Sequence, residues 1–130
     1  MKKTTFWLTA LLTMAVSFSG CMTAKEALLP IHDEVLVYSL PYDLTYLRTL
    51  EAVENIHGWE LEETEKEKGI IRASNINYGR FDDADERRAT LVITRLNRHQ
   101  TQVALAPTSQ RVREGDKLLQ QISQFISREL

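Results

Sequence analysis

The spacing of apolar and polar positions changes several times along the chain, and each change marks an element. From Glu34 to Leu40 the run EVLVYSL is β-branched and aromatic, which predicts a strand that Pro41 ends. The apolar spacing then lengthens to about 3.6 residues, with Tyr46, Leu47, Leu50, Val53 and Ile56 on one broad arc and Leu44 outside it. A helix is expected there, capped by Asp43 and ended at Gly58. Trp59, Leu61 and Glu63 begin an alternation that reaches the charged turn Lys66-Glu67-Lys68-Gly69, and Ile70-Ile71-Arg72-Ala73 returns from it toward Tyr78, the pattern of a hairpin. Gly79 to Glu86 is polar and turn-rich. Arg87 to Leu96 alternates as a strand, Asn97 to Gln100 turns, and Thr101 to Ala106 forms a further strand closed by Pro107. The last segment has Leu118, Leu119, Ile122, Phe125 and Ile126 on one helical stripe, with Ser109 as cap of its longest version or a start near Asp116.

The expected order is therefore β-α-β-β-β-β-α, an α+β fold in which an antiparallel sheet of about five strands has two helices on one face. Each helix shows one apolar stripe, so both are expected to pack on the sheet and to offer no second hydrophobic surface.

Upstream of these elements the pattern is of another kind. After Met1-Lys2-Lys3 the chain carries no charge from Thr4 to Ala24, and its apolar centre runs from Phe6 to Phe18. A basic start, an apolar stretch and small residues after it make a secretory leader. An uncleaved membrane span is the competing reading, disfavoured because seven positions from Thr4 to Ala24 are Thr or Ser. The ending Phe18-Ser19-Gly20-Cys21 resembles the lipobox of bacterial lipoproteins, with Phe18 where leucine is usual. The resemblance implies cleavage between Gly20 and Cys21, a diacylglycerol on the Cys21 sulfur and an acyl group such as palmitate on its amine. Several acyl chains together make release from a bilayer slow, whereas a single chain binds reversibly. Met22 stands where aspartate retains such lipoproteins at the inner membrane, so the resemblance implies the outer membrane, with the domain facing the periplasm. The expected organisation is a leader over 1–20, a lipidated N-terminus and tether over 21–33, and one α+β domain over 34–130.

Composition narrows the function classes. Hydrophobic residues at 43% and charged residues at 26% suit an ordinary globular domain. The formal charge of −2 becomes −4 once Lys2 and Lys3 leave with the leader, and ten arginines are scattered among eighteen acidic groups, which disfavours nucleic acid. Cys21 is the one cysteine, so no internal disulfide forms and no thiol is left for chemistry once it is lipidated.

Candidate chemistry is sparse. His32, His57 and His99 lie far apart without metal-ligand spacing and are expected at the surface or at a helix end. Asp82, Asp83, Asp85 and Glu86 could hold a cation but lack the spacing of a calcium loop, and a solvated turn neutralised by Arg87 and Arg88 is the simpler expectation. Neither a nucleophile motif nor a glycine-rich phosphate loop is present, so no cofactor, metal or catalytic residue is expected and the protein is read as a non-enzyme. Trp59, Tyr46 and Tyr78 are read as core aromatics first and as binding residues second.

The order of elements, the charged hairpin turn EKEKGII and the closing amphipathic helix resemble, weakly, the helix-grip domains of BamC-type lipoproteins. That resemblance implies an accessory or scaffolding role at the outer membrane. The leading expectation is thus an anchored protein-interaction module that meets an envelope protein through a sheet face or edge. The alternative is a carrier or sensor of a small apolar or lipid ligand in the cleft between helix and sheet.

Overall fold

The computed structural model describes residues 30–78 and 84–130. The leader, Cys21 and most of the tether lie outside the described residues. The described elements are β1 (Val35–Tyr38), α1 (Tyr42–Asn55), β2 (Trp59–Glu65), β3 (Ile70–Asn75), a short α2 (Ala84–Arg87), β4 (Arg88–Arg95), β5 (Thr101–Leu105) and α3 (Gly115–Arg128). Two single-turn 3₁₀ helices, Lys66–Lys68 and Pro107–Ser109, join strands to their successors. The strands form one antiparallel sheet in the order β1-β5-β4-β3-β2. This is the α+β architecture expected from the pattern.

Alternation decides which face is covered. In β4, Ala89, Leu91 and Ile93 are buried, and in β5 Thr101, Val103 and Leu105, while the residues between them face outward. The covered face meets Leu118, Leu119, Ile122 and Ile126 of α3, all fully buried. α1 packs against α3, β2 and β4, and α3 reaches over β1, where Ser123 approaches Tyr38. Burial pushes the Tyr38 phenol above its ordinary range with only partial relief from Ser123, and no hydrogen bond of normal geometry reaches its oxygen.

The hairpin turn forms as its residues require. Gly69 has φ +68°, and a Cβ there would run into the Ile93 carbonyl. Its own carbonyl accepts the Ile93 N–H at 2.7 Å, which registers the hairpin against β4. β3 ends at Asn75, short of Tyr78, because Asn75 turns its side-chain oxygen back to the Asn77 N–H at 3.0 Å.

Caps and ends differ from the sequence expectation in three places. Pro41 precedes the first turn of α1, and Asp43 lies within that turn, paired with Lys66 at 3.2 Å instead of capping the helix. Ser109 caps nothing: it is buried, and its hydroxyl accepts the Thr90 N–H at 2.9 Å, tying the loop to β4. Glu114 fills the cap position of α3 with φ 60°, and its carboxylate accepts from Asn75 at 3.1 Å and Lys117 at 3.2 Å. His32, within the expected tether, is buried and donates its backbone N–H to the Gln110 carbonyl at 2.7 Å.

Candidate interaction surface

The main departure from the apolar pattern is in α1. Its buried residues are Thr45, Tyr46, Thr49, Ala52 and Val53. Leu47, which the sequence places at one edge of the inward arc, is 48% exposed, and Leu44, outside that arc, is exposed as well. The expectation that this helix offers no second hydrophobic surface is therefore overturned. Small side chains, Thr45, Thr49 and Ala52, occupy the space between α1 and the elements it packs on, which include α3 and β4. Thr45 and Thr49 fill that space and satisfy their hydroxyls locally, donating to the carbonyls of Pro41 at 3.1 Å and Thr45 at 2.7 Å.

Three leucines line up. Leu44, Leu47 and Leu50 follow one another at three-residue steps, from the exposed Leu44 and Leu47 to Leu50, which is half-buried against the core. With Tyr46, Asp43 and Lys66 they line a shallow groove of about 500 Å³. Its walls are mostly hydrocarbon, and the Asp43–Lys66 ion pair sits at one end. The Tyr46 hydroxyl donates to the Ile70 carbonyl at 3.4 Å, and burial holds its phenol above the ordinary range, partly offset by Thr64. Tyr42 braces the same end. Its hydroxyl donates to the Lys66 carbonyl at 2.5 Å, its ring lies 6.2 Å from that of Tyr46, and the Arg95 guanidinium stands 5.4 Å from its centroid. Acidic groups surround the ridge: Glu51, paired with Arg48 at 3.2 Å, and the exposed Glu54. Burying a leucine is worth roughly 1.5–3 kcal/mol, so an exposed apolar row on a helix that buries threonines forgoes stability that a partner can restore.

The residues singled out from the sequence do not converge. Cys21, Asp82 and Asp83 lie outside the described residues, as does the side chain of Asp85. Glu86 is buried, and its partner is Arg113, whose guanidinium reaches its carboxylate at 3.1 and 3.2 Å. Arg87 and Arg88 were the expected neutralising groups, but Arg88 instead pairs with Glu62 at 2.8 Å across the sheet. Arg113 also lies 5.0 Å over the Tyr78 ring, so this arginine ties Tyr78 and Glu86 to the loop before α3. His57 and His99 are exposed at turns, whereas His32 is buried. Trp59 is buried at the start of β2, where it plugs the gap beyond α1 as expected. Among the described residues no three His, Cys, Asp or Glu side chains come together as metal ligands, and no helix is long and apolar enough to cross a membrane.

Comparison with protein-family models and with characterised proteins gives no match to this chain.

Proposed function

We propose that this protein is a bacterial envelope lipoprotein, held to the outer membrane by lipid on Cys21, whose domain binds another envelope protein without catalysing a reaction. The leader and its Phe18-Ser19-Gly20-Cys21 ending support the anchor. The observation that carries the binding role is the outer side of α1, with Leu44 and Leu47 in solvent while Thr45 and Thr49 lie in the core. A partner that fits this surface presents apolar side chains to the leucines and basic groups to Glu51 and Glu54.

The test is made on the full chain in a bacterium with two membranes. Intact mass should show a product beginning at Cys21 with acyl groups added, lost in Cys21→Ser. Crosslinking in membranes should recover one reproducible partner that Leu47→Glu abolishes. A retained leader or an unmodified peptide mass overturns the anchor, and unchanged capture by Leu47→Glu overturns the surface. A second reading rests on the volume of the groove, which at about 500 Å³ lies in the range of small-ligand sites. An apolar molecule retained in native mass spectra and displaced by Leu47→Glu would replace the protein partner with that ligand.

A further inference from the structure

The sheet has two edges, and they are built in opposite ways. The outer strand β2 carries Glu60, Glu62, Glu63 and Glu65 in seven residues, and its register breaks at a bulge between Leu61 and Glu63. Charges and bulges of this kind keep a strand edge from pairing with another chain. Here they are also held in place, since Arg72 pairs with Glu63 and Glu65, Lys68 with Glu65 and Arg88 with Glu62. β1, at the other edge, has none of these devices. Its sequence VLVY has neither charge nor proline, and its register with β5 is unbroken over four residue pairs. Val35 and Val37 are 51% and 53% exposed on the face that the helices leave open.

We propose that β1 pairs antiparallel with β1 of a second copy of this chain, about a two-fold axis perpendicular to the sheet that passes midway between the two Leu36 residues. A two-fold contact requires a surface complementary to itself, and this strand meets that condition. In this register Leu36 faces Leu36 of the copy on the helix side, and Val35 lies beside Val37 of the copy on the open side. The open face already carries an apolar row across four strands, Ile70, Val92, Ala104 and Val35, read from the strand registers. Val37 of the copy continues that row. Charge selects the direction. Asp33 and Glu34 precede β1 and no lysine or arginine lies between positions 30 and 40, so parallel pairing would set like charges side by side. Antiparallel pairing puts Asp33 opposite Ser39 and separates the acidic groups to the two ends of the ribbon. A two-fold axis perpendicular to the sheet also keeps the helices of both copies on one side, leaving the α1 ridges free.

Disulfide trapping in the full chain tests this pairing, because opposed residues in a ribbon lie within the Cα separation a disulfide spans. Under mild oxidation in native membranes, Leu36→Cys should give several-fold more covalent dimer than either the unsubstituted chain, which reports any background from Cys21, or Glu62→Cys on the β2 edge. Adding Val37→Lys should return the yield to background. The exposed positions provide a check that leaves the core alone: chains carrying Val35→Cys and Val37→Cys should crosslink when co-expressed, and more than either does alone. Equal yields at the two edges, no effect of Val37→Lys, or no excess in the mixed pair overturns the proposal. A crosslink from Leu36→Cys to a protein of different mass overturns it also, by assigning the edge to another partner.

Discussion

Two helices of fourteen residues cover this sheet, and they obey different rules. In α3 the sequence stripe and the buried face coincide: Leu118, Leu119, Ile122 and Ile126 point inward, and polar side chains such as Gln120 and Gln121 point out. In α1 the face that turns inward carries Thr45, Thr49 and Ala52 beside Tyr46 and Val53, and Leu44 and Leu47 remain in water. The contrast separates two uses of apolar side chains. One set is spent on folding, and the other is held at the surface, where folding does not need it.

Substitutions that break this contrast should differ most in stability. Ile122→Ala in α3 removes a fully buried side chain from the centre of the core, and should cost about 2–5 kcal/mol in urea unfolding, with little repacking because the helix is wedged against the sheet. If Leu47→Ala in α1 costs as much, the two helices are not doing different work.

The next largest effect is expected where α3 begins. Asn75 is buried and donates to the Glu114 carboxylate, and Asn75→Ala should cost about 1–3 kcal/mol. The Asn75 hydrogen bond, and then Lys117, hold the Glu114 carboxyl below its ordinary 4.5. A carboxyl lowered on folding contributes stability that is present above its unfolded value and disappears as pH falls through its folded value. The gap in urea midpoint between the unsubstituted chain and Asn75→Ala should therefore be full at neutral pH and shrink in acid below 4.5. A gap that grows in acid contradicts the assigned bond.

Thr49→Val sharpens the reading of the inward face of α1. Its hydroxyl bonds only to a carbonyl one turn back, which keeps its helical N–H, so the change should be neutral or stabilising by at most about 1 kcal/mol. A larger loss in thermal unfolding would mean that the hydroxyl is needed in the core. The smallest effect on stability belongs to Leu47→Glu, expected within about 0.5 kcal/mol because the side chain is half in solvent, while capture of the proposed partner should be lost.

Much of this was legible in the residues themselves. Strand limits followed from alternation and from Pro41 and Pro107, the hairpin from Lys66 to Gly69, and α3 from a stripe with no competing face. The ridge was harder to see. Leu44, Leu47 and Leu50 at three-residue steps were visible, and so were Thr45, Thr49 and Ala52 on the opposite side, but hydrophobicity alone ranks leucine as the inward residue. The signal that points the other way is size, since a row of small residues marks a helix that packs close.

The amino-acid sequence by itself determined the order of elements and the inward face of α3, because each depends on contacts or spacings a few residues apart. Only the tertiary structure decided the inward face of α1, the pairing of Glu86 with Arg113, and the contrast between the two strand edges. Those depend on how near one backbone comes to another and which side chains, distant in the chain, meet there. Local periodicity carries no information about either distance.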